Sequence, residues 1–303
     1  MEIMKVGIIG LGRMGMAIAA RAATAGFQVI GYDPNTELQN ESEKNGIIFY
    51  KNIDQLAKEA DIIWLMIPAG AVIDQTIEKL INCMQPGALV IDGGNSNFVD
   101  SIRRAQRLTA HTINFLDCGV SGGIHGAKNG FCLMVGGNYE IYKKVEPLLK
   151  VLAAHGGYNY MGPSGAGHYV KMVHNGIEYG LLQAYAEGFQ LLREGDFKEL
   201  DLEKISNVWL HGSVIRSWLL ELGHDVFKKD QTLTLIDGTI QEGGTGAWTV
   251  ENAHKNNVPV PVIEKSLEVR ALSRQAGGNF ATKVIQMLRN AFGGHAVSLT
   301  DKS

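Results

Sequence analysis

The first half of the chain alternates short apolar runs with amphipathic stretches. Lys5–Ile9 is an apolar run that predicts a strand, and Gly10–Gly15 is a glycine loop. Met16–Ala25 is alanine-rich and helical in propensity, and Gly26 ends it before a second strand at Phe27–Tyr32. Further apolar runs predict strands at Ile62–Ile67, Ala88–Ile91, Asn114–Cys118 and Phe131–Val135. Helical stretches fall between several of them, at Asn52–Ala60, Ala71–Cys83 and Val99–Ala110. Strands that are apolar throughout, separated by helices, are those of a mostly parallel sheet covered on both faces.

The grammar changes near Gly162-Pro163-Ser164-Gly165. Beyond it Ala166–Arg193 runs without a strong breaker, and Leu202–Leu210, Ser213–Leu222, Thr249–Asn256, Pro261–Ala276 and Phe280–Phe292 also read as helices. The expectation is an α/β chain with a doubly wound, mostly parallel sheet over residues 1–164, followed by an all-helical domain with a C-terminal tail over 165–303.

Composition narrows the classes open to such a chain. At 303 residues it is long enough for two domains, and 45% hydrophobic with 19% charged residues excludes intrinsic disorder. A formal net charge of -3 gives no global electrostatic case for nucleic acid or an acidic membrane, while leaving room for a local cationic pocket. Cys83, Cys118 and Cys132 form no C-x-x-C pair, which argues against a disulfide framework or a structural zinc site and fits a reducing compartment. No secretory pattern opens the chain, and no apolar run reaches the ~18 residues of a membrane span, so a cytoplasmic protein is expected. Glycine is abundant, at 37 residues, and clusters in short loops that carry the candidate chemistry.

Gly10-Leu11-Gly12-Arg13-Met14-Gly15 is a G-x-G-x-x-G string after a predicted strand and before a predicted helix. Glycines at those positions permit a tight turn, backbone approach to a pyrophosphate and close helix–strand packing, and the helix N-terminus offers N–H groups to the phosphates. In this setting the sheet is of the Rossmann type and the loop is a dinucleotide site. Asp33 closes the second strand, where an acid accepts hydrogen bonds from the adenosine ribose and repels a 2′-phosphate, so NAD is favoured over NADP. The plainer alternative is that Asp33, before Pro34, is a turn residue.

Two polar glycine loops follow other strands: Asp92-Gly93-Gly94-Asn95-Ser96 and Gly119-Val120-Ser121-Gly122-Gly123. Ligands of open α/β sheets bind outside the carboxyl ends of the strands, where both loops emerge. Asn95 offers an amide to the nicotinamide side or to a substrate hydroxyl, and Ser121 with its neighbouring N–H groups suits a carboxylate. Each loop could equally be a strand-to-helix turn with an N-cap. In Lys171-Met172-Val173-His174-Asn175-Gly176-Ile177-Glu178-Tyr179, the residues Lys171, His174, Asn175 and Glu178 share one helical face. Lys171 and Glu178 are about 10 Å apart along the axis, a span suited to a base and an acid addressing different carbons of one sugar acid. The alternative is a solvated polar stripe.

Taken together these strings resemble 6-phosphogluconate dehydrogenase in a short form, within the β-hydroxyacid dehydrogenase superfamily. The resemblance rests on the glycine fingerprint, G-G-N-S at Gly93–Ser96, V-S-G-G at Val120–Gly123, K-M-V-H-N-G-I-E-Y at Lys171–Tyr179 and the tail Arg289-Asn290-Ala291-Phe292-Gly293-Gly294-His295. It implies that Lys171 takes the proton from the C3 hydroxyl as hydride leaves C3. The β-keto acid so formed loses CO2, and Glu178 protonates the enediol to give ribulose 5-phosphate. It also implies substrate contacts from Asn95, Ser121, Gly122, Gly123, His174 and Asn175, and phosphate contacts from Tyr179, Thr245 and Arg270. Arg289 and His295 would come from the tail of a neighbouring subunit in a homodimer or homotetramer. No metal is required, because the keto group is itself the electron sink. Long members of the family carry K-G-T-G-x-W where this chain has Gly243-Gly244-Thr245-Gly246-Ala247-Trp248, so a phosphate-holding lysine is missing. A β-hydroxyacid dehydrogenase on a smaller or unphosphorylated acid, without decarboxylation, and a catalytically silent NAD(H)-binding regulator are the rival readings.

Overall fold

The structure is a computed structural model, and it describes residues 4–241 and 244–300. Gly243 lies outside the described residues, as does the Met1–Ile3 opening. The chain divides into two compact units between Met172 and Val173.

The first unit opens with β1 (Lys5–Ile9), α1 (Arg13–Thr24), β2 (Gln28–Tyr32), α2 (Gln39–Lys44), β3 (Ile48–Phe49) and α3 (Ile53–Glu59). It continues with β4 (Ile62–Leu65), α4 (Ala71–Ile81), β5 (Leu89–Asp92), α5 (Phe98–Ala110) and β6 (Asn114–Ser121). The last part holds α6 (Gly126–Asn129), β7 (Phe131–Gly137), α7 (Tyr139–Leu152) and β8 (Ala153–Gly162). All eight strands form one sheet in the order β3-β2-β1-β4-β5-β6-β7-β8. The pairs from β3 through β6 are parallel, β7 is antiparallel to β6, and β8 is parallel to β7. This is the mostly parallel, doubly wound sheet expected from the apolar runs.

Alternation explains why those runs are apolar throughout. In β4, Ile62 and Trp64 join the core on one face, with Met16, Ile18 and Ala19 of α1 and Leu148 and Leu149 of α7. Ile63 and Leu65 join the core on the other, with Leu56 of α3, Ile73 and Ile77 of α4 and Leu108 of α5. Neither face of this strand meets water, so both parities are apolar.

The helix α8 (Ala166–Glu194) carries the chain from the first unit into the second. There follow α9 (Leu202–Leu210), α10 (Trp218–Lys229), α11 (Thr245–Lys255), α12 (Pro261–Ala276) and α13 (Phe280–Gly293). Among the described residues the second unit is helical apart from one isolated bridge, Ile236 to Leu299. Its core packs Leu182, Ala186 and Phe189 of α8 against Leu220 and Phe227 of α10 and Ile285 and Leu288 of α13. The helix expected at Ser213–Leu222 starts later, at Trp218. Ser217 accepts the N–H of Leu220 and caps it, and a hydroxyl cap of this kind fixes where a helix begins.

Candidate active site

The glycine loop between β1 and α1 uses each glycine differently. Gly10 has φ +93°, and a Cβ there would stand 2.5 Å from the Met66 carbonyl oxygen. A Cβ on Gly15 would meet the Gly10 carbonyl oxygen at 1.8 Å, so α1 starts almost in backbone contact with the loop. At Gly12, the N-cap of α1, nothing lies within 4 Å of where a Cβ would be. A tight turn, an open approach at the helix N-terminus and close helix–loop packing are the three requirements of a pyrophosphate cradle, so the residues present fit a dinucleotide. Arg13 is exposed and Met14 half-buried at the start of α1, while Leu11 is buried.

Asp33 is tied to this loop. One carboxylate oxygen accepts the Leu11 N–H at 2.8 Å, and the other accepts the Asn35 N–H at 2.8 Å, closing a turn. The turn role weighed against a ribose role is therefore present, and it leaves each oxygen a lone pair for a hydroxyl.

Asn95 is exposed, in a loop where Gly93 and Ser96 are buried and Gly94 is half-buried. Ser96 donates to Asp92 at 2.8 Å, and Gly94 N–H donates to the same carboxylate at 3.1 Å. Arg104 of α5 binds this pair from below, donating to Asp92 at 3.3 Å and to Ser96 at 3.1 Å. It also donates to the Gly70 carbonyl at 3.1 Å and to Asp74 of α4 at 2.9 Å. One guanidinium thus braces the loops after β4 and β5, and nothing in the sequence pattern singles it out. Ser121 ends β6, and Gly122 and Gly123 follow in positive-φ conformations that open the chain into the next turn.

On α8 the four residues expected on one face are all helical. Lys171 belongs to the first unit, its Cβ seated over Gly119 of β6. His174, Asn175 and Glu178 belong to the second. His174 Nδ1 and Asn175 Oδ1 are 3.0 Å apart and share a hydrogen bond, and Asn175 is buried, so this pair arrives already joined.

Within the second unit Tyr179 is the centre of a compact group. A Cβ on Gly246 of α11 would come within 2.4 Å of its ring, and one on Gly176 of α8 within 2.6 Å of Thr249, so each helix gives one glycine to the α8–α11 contact. The guanidinium of Arg270, from α12, lies over the Tyr179 ring at 3.4 Å from the centroid. All three of its nitrogens are buried without a hydrogen-bond partner among the described residues. Burial lowers the Arg270 pKa to about 10; Arg289 acts in the same direction, Tyr179 and Glu178 against it. Arg289 of α13 is likewise lowered by burial and pulled back by Tyr179 and Glu178. Thr245 is buried at the first position of α11.

The resemblance places Arg289 and His295 with a neighbouring subunit. Here Arg289 approaches Tyr179 and Glu178 of its own chain, and the His295 ring stands edge-on to Phe292 with centroids 6.1 Å apart. Asn290 donates to the His295 carbonyl at 2.8 Å, which folds this turn back on its own helix. Among the described residues no group of three or more His, Cys, Asp or Glu side chains is placed to hold a metal ion.

A mostly parallel sheet with this glycine loop, followed by helices that bury a cation beside a carboxylate, defines a dinucleotide-dependent oxidoreductase. Comparison with known proteins is more specific. Residues 5–162 match the NAD binding domain of 6-phosphogluconate dehydrogenase, and residues 167–283 match the C-terminal domain of that enzyme. The chain is 43% identical over 306 residues to the NAD(+)-dependent, decarboxylating 6-phosphogluconate dehydrogenase of Haloferax volcanii, covering 98% of this chain and 100% of that one. It is 36% identical over 286 residues to decarboxylating 6-phosphogluconate dehydrogenase 2 of Saccharomyces cerevisiae, covering 88% of this chain but 58% of the yeast one. Among solved structures, 6-phosphogluconate dehydrogenase of Plasmodium falciparum superposes with a TM-score of 0.82 at 30% identity, over 89% of this chain and 62% of that one. The 3-hydroxyisobutyrate dehydrogenase of Mycobacterium tuberculosis shares the fold, with a TM-score of 0.77 at 22% identity, over 95% of this chain and 99% of that one. The chain belongs to the 6-phosphogluconate dehydrogenase family, and so to the NAD(P)-dependent oxidoreductases that act on a CH–OH donor.

Proposed function

We propose that this chain oxidises 6-phospho-D-gluconate at C3 and decarboxylates the product to ribulose 5-phosphate, with NAD preferred over NADP. The observation that carries the substrate is Arg270: a buried guanidinium with no acceptor on any nitrogen among the described residues, stacked on Tyr179 next to Glu178 in the chain. A desolvated cation in that state is costly until an anion reaches it, and a phosphate offers the bidentate acceptor its fork is shaped for. Arg289 adds a second cation to the same group. The two arginines and Thr245 remain to hold the phosphate where the lysine of the long members is replaced by Gly243.

The dinucleotide, held by Gly10, Leu11, Gly12, Arg13, Met14 and Gly15 with Asp33 at the ribose and Asn95 on the nicotinamide side, supplies the hydride acceptor. Asp33 supports NAD because a 2′-phosphate would meet its charge, and no arginine follows it to receive one. Lys171 takes the C3 hydroxyl proton on Nζ. The β-keto acid then loses its carboxyl group as CO2, with the electron pair passing to the C3 oxygen, to which Lys171 returns the proton. Glu178 protonates the enediol carbon that becomes C1 of the product. Ser121, Gly122 and Gly123 hold the carboxylate end, His174 and Asn175 with Asn95 hold hydroxyls, and Tyr179, Thr245, Arg270, Arg289 and His295 form the phosphate end.

A homodimer or homotetramer is part of this reading; the resemblance implies exchanged tails, while the approach of Arg289 to Tyr179 and Glu178 supports a tail that serves its own chain. A cytoplasmic location is also part of it, supported by three free cysteines; no helix among the described residues is long and apolar enough to cross a membrane. A coupled assay tests the whole: NADH and CO2 should appear together from 6-phosphogluconate, faster with NAD than NADP and far more slowly from gluconate. NADH without CO2 would favour a β-hydroxyacid dehydrogenase on a smaller acid, and NADH binding without turnover of any sugar acid would favour a regulator.

A further inference from the structure

Strand β6 carries a pattern that the site residues do not use. Its residues 116, 118 and 120 are apolar, while 117, 119 and 121 are Asp, Gly and Ser, and alternate positions of a strand share a face. Asp117 is fully buried on that face. Its two carboxylate oxygens accept the Gly165 N–H at 2.6 Å and the His168 N–H at 2.8 Å, both at the start of α8. Opposite it on β7 stands Gly136, where a Cβ would press to 2.6 Å from the Gly167 nitrogen. Gly167 in turn has no room for a Cβ, with the Met134 and Asp117 carbonyl oxygens at 2.4 and 2.6 Å. The first turn of α8 therefore rests backbone to backbone on β6 and β7. His168 adds a second fastening, its Nδ1 sharing a hydrogen bond with Ser101 Oγ of α5 at 2.7 Å. One turn on, the Lys171 Cβ occupies the space above Gly119, 2.4 Å from where a Cβ of residue 119 would be.

We propose that Asp117 is a positioning residue for the reaction: with Gly119 it sets the register of α8 on β6, and so places the Lys171 amine relative to Ser121, two residues further along the same strand face. A carboxylate does this where an amide would not. Two N–H donors address its two oxygens, and it complements the positive end of a long helix. The inference rests on the reading of Lys171 as the base.

Two variants of the full chain test it, Asp117→Asn and Gly119→Ala. The asparagine keeps the shape but leaves one oxygen for two donors; the alanine keeps the Asp117 carboxylate and its donors and presses on the Lys171 Cβ and the Gly167 carbonyl. In each, kcat with 6-phosphogluconate should fall by about tenfold or more while KM for NAD and the Kd of NADH stay within about twofold, because a base displaced by a fraction of an ångström loses its geometry without disturbing the dinucleotide loop. The deuterium isotope effect on kcat for substrate labelled at C3 should rise, since oxidation becomes the slow step. Unchanged kcat or isotope effect in a folded variant, loss of NADH binding in step with kcat, or failure of both variants to fold would overturn the proposal. If the parent enzyme turns over no 6-phosphogluconate, the functional reading is what has failed; the placement is then read from the acylation rate of the Lys171 amine followed by mass spectrometry. That rate should differ between parent and Gly119→Ala, and an identical rate would overturn the positioning role.

Discussion

Among the described residues two arginines are buried, and they differ in everything except burial. Arg104, 0% exposed, stands in the α/β unit and spends its guanidinium on Asp74, Asp92, Ser96 and the Gly70 carbonyl. Arg270, 3% exposed, stands in the helical unit and spends none of its nitrogens on an acceptor among the described residues; the Tyr179 ring lies against its face. A buried charge is tolerated when it is paired and hydrogen-bonded, and otherwise it stores an unmet interaction. The first arginine has found its anions in the chain and works as a brace. The second, on the function proposed above, is kept for the phosphate of the substrate. Burial alone would have grouped them; the satisfaction of each N–H separates them into structure and function.

The largest effects should come from removing each cation. Arg104→Met leaves Asp92 buried without its counter-charge and should cost about 3–5 kcal/mol of stability. Adding Asp92→Asn should restore part of it, read from urea midpoints. Arg270→Met should do the reverse. It removes a desolvated charge, so stability should hold or rise, while KM for 6-phosphogluconate should climb roughly 10²–10³-fold with the loss of two charge-assisted hydrogen bonds. A stable Arg104→Met chain, or an Arg270→Met chain that keeps its KM, would erase the distinction.

The sequence makes the sheet legible and the brace invisible. β1, β2, β4 and β5 can be read because both parities are apolar, a consequence of helices on both faces. β8 cannot, since Ala153–Gly162 mixes glycine, histidine and asparagine on an edge strand that is half exposed. The glycine loop is legible because each glycine answers a distinct steric demand. Arg104 and Asp117 are not, because a buried, paired charge has the same letter as a solvated one and only its partners mark it. For Asp117 a signal exists in the Asp-x-Gly-x-Ser alternation of β6, set against apolar neighbours. The joining of His174 to Asn175 had no such signal: adjacency on a helix says nothing of rotamers.

A smaller effect tests where the second cation comes from. Arg289 approaches Tyr179 and Glu178 of its own chain, so each anion group should be complete within one subunit. Chains carrying Lys171→Met and chains carrying Arg289→Ala, unfolded together and refolded into mixed oligomers, should then show no recovery of activity. Every site lacks either its lysine or its own arginine. If tails are exchanged between subunits, the site with an intact Lys171 borrows an intact Arg289, and activity returns in proportion to the mixed species.

The smallest effect is also the one that titration alone distinguishes. Burial sets the free-state pKa of Arg270 at about 10, so it loses its proton where an exposed arginine keeps it. A bound phosphate pulls that pKa back up, and linkage then fixes the sign: affinity for 6-phosphogluconate is constant below about pH 10 and falls as pH rises through it. Stability moves oppositely. A base whose folded pKa lies below its unfolded value penalises the fold while both states are protonated, and the penalty is relieved as pH rises from the folded pKa toward the ordinary arginine value. Binding of the phosphorylated acid, measured by calorimetry across that range, should therefore weaken in the parent chain. In Arg270→Met the remaining weak binding should lack the inflection. An inflection that survives the substitution would assign the titration to another group and leave Arg270 as silent toward the anion as Arg104.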